Sequence, residues 1–166
     1  LGDASNAYGK VISKSWLARA KKEEVSFSPE AGWDDVKLKT FRRHIVELGK
    51  TGFTFIYDEL EAEEPVTWSY LLHTVTNPRN VNMVNEFVHV QATSKNGISD
   101  AYLLGSDELK TDTPSLFFTP ATNWLRADDK GNFKKYPNHW HFTATSGKLK
   151  VYRFVTIINT HINKTT

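Results

Sequence analysis

Two histidines, His139 and His141, form the most metal-like pair in this sequence. Residues two apart on a β-strand point to the same face of a sheet, so two imidazoles at this spacing can share one ion. A zinc-type site needs at least one further protein ligand, which His89 or His161 could supply if their strands lie alongside. Structural histidines held by hydrogen bonds are the alternative interpretation.

Three consecutive basic residues, Arg42, Arg43 and His44, lie in the middle of a predicted strand. The guanidinium group gives paired hydrogen bonds to carboxylate or sulfate, so this segment suits an acidic sugar chain. Neighbouring strand residues point to opposite faces, and therefore only one of the two arginines can face a given ligand. The alternative is structural: a half-buried arginine is normally paired, so we expect an ion pair with a carboxylate.

Aromatic residues are frequent, at 13% of the chain with five Trp. Flat aromatic side chains serve either a sheet core or a sugar-stacking platform. Trp124, Tyr136 and Trp140 are the candidates for a platform, with Lys148 and Lys150 among the basic residues that follow. A solvated lysine face is the alternative for these basic groups.

Enzymatic signatures are sparse. The sequence has no cysteine, no Gly-x-Ser-x-Gly elbow and no glycine-rich phosphate loop. Abstraction of the proton beside a uronate carboxylate needs a base such as Tyr or His and a group that neutralises charge. Tyr8, Tyr57, His73 and His44 have suitable chemistry, but no local pattern marks any of them as catalytic.

Composition predicts one domain over residues 1–166, because this length supports a single well-buried core. Lys and Arg total 21 against 19 Asp and Glu, a net charge of +2. This balance does not predict a nucleic-acid partner. No apolar stretch approaches the roughly 20 residues that cross a bilayer, so no membrane span is expected.

Hydrophobic alternation predicts β-structure along most of the chain. Residues 36–48 alternate as a strand, and 53–74 reads as a β-hairpin whose tip is the acidic segment 58–64. A solvated tip is the main interpretation of that segment, with calcium binding as the alternative. Further strands are predicted at EFVHVQAT, ISDAYLLG, HWHFTAT and KLKVYRFVTIINTH, the last two joined by a turn at SGK.

Two regions lack this alternation. Residues 1–31 show a weak pattern with one possible short strand at VISKSWLA, and 106–138 form an irregular stretch with three prolines. No segment has a sustained helical period. The predicted fold is all-β, an antiparallel β-sandwich of two packed sheets.

The segments GDASNAYGKV, FRRHIVEL, IYDELEA and WSYLLHT resemble the C-terminal β-sandwich of heparinase II/III-like polysaccharide lyases. This resemblance implies a periplasmic or secreted parent enzyme that depolymerises heparin, heparan sulfate or related uronate polymers by β-elimination. It also implies an N-terminal helical toroid that carries the catalytic tyrosine, and a His-x-His-x-x-Asp motif that supplies further active-site and metal ligands.

The sequence departs from the family where chemistry is concerned. His141 is followed by Phe142, Thr143 and Ala144, so the metal-binding motif does not occur. We therefore assign no catalytic residue and no cofactor to this chain, and expect any divalent metal of the parent to bind upstream. The expected partners are the helical domain of the same polypeptide and, through the parent, an acidic polysaccharide. The domain alone is predicted not to cleave polysaccharide.

Two other functions compete with this interpretation. The first is a free-standing carbohydrate-binding module for acidic glycans that stacks sugars on Trp124, Tyr136 or Trp140. The second is a small metal-dependent enzyme built on His139 and His141.

Overall fold

The computed structural model describes residues 1–5, 14–24, 37–84, 86–116, 126–127, 130–131, 133–134 and 139–162. Its helix is α1 (Lys14–Lys22). Its strands, in chain order, are β1 (Gly2–Asp3), β2 (Leu38–Glu47), β3 (Phe53–Thr74), β4 (Arg79–Val84), β5 (Phe87–Thr93), β6 (Gly97–Gly105), β7 (Leu109–Thr111), β8 (Ser115–Leu116), β9 (Arg126–Ala127), β10 (Phe133–Lys134) and β11 (Trp140–Ile162). The described pairings are antiparallel, so the predicted all-β antiparallel fold is confirmed.

One large sheet contains most of these strands. Its order is β1-β2-β3-β11-β6-β5-β4, and β7 and β8 also pair with β11. Strands β9 and β10 form a separate two-stranded sheet. These pairings do not show the finer architecture, a sandwich of two packed sheets, which stays a prediction.

The predicted hairpin over 53–74 is wrong, because β3 runs through it as one strand of 22 residues. The acidic segment contains no Gly or Asn, the residues that tight hairpin turns favour. Its side chains instead meet the neighbouring strand: Lys39 Nζ lies 3.6 Å from Glu61, and Lys37 Nζ lies 3.6 Å from Glu63. The alternative of a calcium-binding turn loses the turn on which it depended.

The turn predicted at SGK is also wrong, since β11 continues through it for 23 residues. Ser146 and Gly147 occupy β11 opposite the single residue Trp68, which makes a β-bulge rather than a chain reversal. The Trp68 amide donates to Ser146 Oγ at 3.0 Å, and its indole Nε1 donates to the Leu149 carbonyl at 2.9 Å. Trp68 thus fixes the bulge from both sides.

The β3–β11 ribbon bends sharply near its middle. A second irregularity places the four residues 62–65 of β3 opposite the single residue Lys150, and bulges of this kind bend strands. Asp58 and Tyr70 would be about 40 Å apart on a straight strand. Yet the Tyr70 ring centroid lies 5.5 Å from that of Phe154, the cross-strand partner of Asp58. The ribbon therefore folds back on itself.

The hydrophobic core fills the inside of this bend. Its buried members come from both arms of the ribbon and from β5 and β6: Leu60, Ala62, Trp68, Tyr70, Val88, Val90, Ala101, Leu103, Phe142, Ala144, Tyr152 and Phe154. On β3 the inward positions alternate with Phe53, Phe55 and Tyr57, whose exposed fractions are 38%, 36% and 39%. The alternation was predicted correctly, but this aromatic row lies on the face turned away from the core.

The other predicted strands and the two irregular regions differ in how well they match the structure. The strands at EFVHVQAT and ISDAYLLG are confirmed as β5 and β6. The short strand expected around VISKSWLA is wrong, because α1 begins at Lys14; the helix is rich in Ala, Leu, Lys and Arg, which are strong helix formers. The irregular stretch 106–138 contains short strands, β7 to β10. Within the described residues, no helix has the length and apolar character to span a membrane.

Candidate functional site

A cavity of about 440 Å³ lies in the angle of the bent ribbon. This size falls in the range of small-molecule sites. Residues of β2 and of both arms of β3 line it, together with one residue of β11: Leu38, Phe41, Arg43, Asp58, Leu60, Val66, Thr67, Trp68, Ser69, Tyr70, Leu71 and Phe154. Most of this lining is apolar, which favours a ligand with an apolar body.

Arg43 and Asp58 form the charged part of the cavity wall. Arg43 Nε donates to Asp58 Oδ1 at 2.7 Å, and Nη2 donates to Oδ2 at 2.8 Å. The Asp58 side chain is 2% exposed, whereas that of Arg43 is 42% exposed. The guanidinium carbon lies 5.6 Å from the Tyr70 ring centroid, a cation–π distance. Burial raises the pKa of Tyr70, so its hydroxyl stays protonated.

Arg42 points to the other face, as the strand pattern predicts. Its Nε donates to Asp3 Oδ2 at 3.0 Å, which fastens β1 to β2. Hydrogen bonds from Ser5, followed by the one from Arg42, lower the Asp3 pKa to about 2, and the same contact raises the Arg42 pKa. An ion pair with a carboxylate, predicted for one of the two arginines, is thus present at both. Their proposed role in binding substrate stays a prediction.

The outer face is defined here as the side of β2, β3, β11, β6 and β5 turned away from the core. One row of cross-strand partners on it runs through Val46, Phe55, Ile157, Tyr102 and His89, and the next runs through His44, Tyr57, Val155 and Leu104. Hydrophobic side chains therefore occupy the middle of both faces of the sheet. His44 Nε2 lies 3.0 Å from Glu59 Oε2, which gives this apolar area a polar rim.

The outer face also carries a buried carboxylate that no sequence pattern singled out. Asp100 Oδ1 accepts from Gln91 Nε2 and contacts His89 Nε2, both at 2.8 Å, and Oδ2 lies 3.9 Å from His161 Nδ1. His89 stacks on Tyr102 with a centroid distance of 4.5 Å. Polar residues at alternate positions of β5, facing Asp100 of β6, are the signal that could have predicted this group.

His139 and His141 meet a different histidine from those expected. His141 pairs with His73 across β3 and β11, with ring centroids 5.2 Å apart, and its Nε2 lies 3.0 Å from Thr143 Oγ1. Burial, and then the neighbouring His141 and His139, lower the pKa of His73. His89 and His161 instead flank Asp100. The described part of the chain contains no group of three His, Asp or Glu residues spaced to hold a metal ion.

The predicted stacking residues are only partly described. Trp140 begins β11, is half-buried, and pairs with Thr74 on one side and Leu116 on the other. Trp124 and Tyr136 lie outside the described residues, as does Tyr8. Among the described residues, no contact joins Trp140 to the basic residues Arg42, Arg43 or Lys150. Tyr57, on the outer face, is an exposed aromatic that the sequence marks only as chemically able to act as a base.

No protein-family model matches this sequence, and no curated protein is significantly similar to it.

Proposed function

We propose that this chain is the C-terminal β domain of a heparinase II/III-like polysaccharide lyase, located in the periplasm or secreted. In this role it supports a helical catalytic domain and lines one edge of the cleft that holds a uronate polysaccharide. The proposal begins from the resemblance of four segments to that family. The all-β fold is compatible with it.

The apolar outer face is the observation that supports the proposal best. Hydrophobic residues scattered singly over a surface are normal, but a contiguous apolar area marks an interaction site. Here Val46, Phe55 and Tyr57 lie on adjacent strands and are 55%, 36% and 39% exposed. A sheet face of this composition suits the apolar stripe of packed helices.

A supporting role also fits the chemistry of the described residues. β-Elimination needs a base placed beside a group that neutralises the uronate carboxylate. His44 and Arg42 each contact a carboxylate, of Glu59 and Asp3 respectively. Both side chains are therefore already engaged in contacts within the domain, which favours positioning over catalysis.

Cleavage assays on two proteins test this proposal. Residues 1–166 and the whole polypeptide encoded by the gene are each incubated with heparan sulfate, and the ultraviolet absorbance of unsaturated uronide products is followed. We expect the whole polypeptide to give product and residues 1–166 to give none. Product from residues 1–166 unaided, or a whole polypeptide without a helical domain, would overturn the proposal.

The second candidate is a stand-alone module that binds acidic glycans. The observation in its favour is the position of Tyr57 beside His44, with ring centroids 5.7 Å apart, because an exposed aromatic next to hydrogen-bonding groups suits a sugar ring. Calorimetric titration of residues 1–166 with heparin oligosaccharides distinguishes the candidates. Saturable binding that Tyr57→Ala abolishes would favour the module, and absence of binding would exclude it.

A further inference from the structure

We propose that the cavity in the bent ribbon is a binding site for a small uncharged molecule with a mainly apolar body. The inference does not depend on the parent lyase, since it concerns only the corner of this domain. The cavity volume of about 440 Å³ exceeds that of a few water molecules and is sufficient for a compound of one to three rings.

The lining determines the character of the ligand. Leu38, Phe41, Val66 and Leu71 give the cavity apolar walls supplied by two strands. Covering such walls with another apolar surface lowers the free energy of the system. The exposed residues Thr67 and Ser69 also border the cavity, so it is open to solvent beside β3.

The charge of the lining disfavours an anionic ligand. Arg43 and Asp58 are its ionisable members at neutral pH, and they neutralise each other through two hydrogen bonds. An added anion would leave an apolar cavity with a net negative charge, which is costly to desolvate. An uncharged ligand avoids this cost.

The ion pair also gives the site a fixed polar end. Asp58 holds the guanidinium from one edge while Tyr70 lies against it at 5.6 Å, so Arg43 is oriented before any ligand arrives. Preorganised donors lose little conformational entropy on binding. We therefore expect the ligand to direct a hydroxyl or carbonyl oxygen, where it has one, towards Arg43.

Fluorescent probes of matched shape test this inference on residues 1–166. N-phenyl-1-naphthylamine is uncharged, and 8-anilinonaphthalene-1-sulfonate has a similar ring system with an anionic group. We expect saturable binding of the uncharged probe, with one molecule per chain, and binding of the sulfonate at least about tenfold weaker.

Two tryptophan substitutions on β3 locate the probe. Val66→Trp adds bulk on the face of β3 that it shares with Trp68 and Tyr70, and Glu64→Trp, at an exposed position outside the lining, is the matched control. The expected result is a loss of affinity of about tenfold or more for Val66→Trp and none for Glu64→Trp. Leu38→Trp repeats the test from β2 if Val66→Trp lowers the thermal midpoint.

The possible contrary results are distinct. Unchanged binding by folded Val66→Trp and Leu38→Trp variants would place the probe elsewhere and overturn the site. Equal affinity for the two probes would overturn the uncharged ligand class. A wild-type domain that binds neither probe saturably would overturn both.

Discussion

The two faces of the β2–β3 pair contain the same kinds of residue in different surroundings. On the inner face, Arg43 meets a carboxylate that is 2% exposed and packs against Tyr70. On the outer face, the adjacent Arg42 meets Asp3 with side chains 50% and 45% exposed, and Tyr57 is open to solvent. Burial rather than residue type therefore determines what each group contributes: the inner set stabilises the fold, and the outer set is available for contacts.

Replacement of an aromatic residue on each face gives the largest expected contrast. Tyr70→Ala removes a ring that is 6% exposed from the core of the bend, and we expect a loss of about 4 kcal/mol in the free energy of unfolding. Tyr57→Ala, with a ring 39% exposed, should cost about 1 kcal/mol. Urea unfolding of both variants measures the difference; equal losses would contradict the assignment of the faces.

Removal of the inner guanidinium should have the next largest effect. Arg43→Ala leaves the Asp58 carboxylate buried without its two donors, and breaking such a pair typically costs about 3 kcal/mol. The half-exposed Arg43 side chain allows some water to compensate. Chemical unfolding against the Arg42→Ala control measures the effect, and we expect no measurable change for the control. A larger loss for Arg42→Ala would reverse the comparison.

An apolar replacement of the inner pair should restore stability. In the double variant Arg43→Met/Asp58→Leu both charges disappear together, so neither charge is left buried without its partner. We expect a free energy of unfolding within about 1 kcal/mol of the wild-type value. The same double variant keeps the apolar lining of the cavity. A loss as large as that of Arg43→Ala would mean that the ion pair itself, rather than the avoidance of an orphaned charge, stabilises the bend.

Protonation of Asp3 in acid should break the outer Arg42–Asp3 ion pair, with the smallest effect on stability of these changes. The folded pKa of Asp3 is about 2, below the ordinary 3.8, so its contribution is fully present above 3.8 and is lost as the pH falls through about 2. The Ala4 amide, which donates to the Phe41 carbonyl, should then exchange faster relative to its intrinsic rate. Hydrogen exchange across this range measures the change, with Asp3→Asn as the control that lacks the transition. A transition of equal size in that control would assign it to another group.

Strand content was predictable because two-residue alternation reflects the burial of one sheet face, and this held for β2, β5 and β6. Chain reversals were not predictable at β3 and β11. The acidic segment 58–64 and the glycine at 147 have the composition of turns, but pairing with β2 and between β3 and β11 makes them a bend and a bulge within continuous strands. Such long-range contacts are absent from local patterns.

The candidate site was predictable only in part. The opposite directions of Arg42 and Arg43 follow from strand geometry, and the expectation of a carboxylate partner follows from the usual pairing of half-buried arginine. Asp58 is the inner partner because the turn over residues 49–52 sets the register Arg43↔Asp58 between β2 and β3. The cavity is a product of the bend, because it joins residues twelve positions apart on β3, and the Asp100 group joins three strands.

Oxidative footprinting of Tyr57 and Phe55 tests the proposed packing of the outer face most directly. Hydroxyl radicals are generated in samples of residues 1–166 and of the whole polypeptide, and the extent of labelling of each ring is compared, with the buried Tyr152 as the unlabelled reference. We expect Tyr57 and Phe55 to be labelled in the isolated domain and protected in the whole polypeptide. Equal labelling of both rings in the two proteins would contradict it.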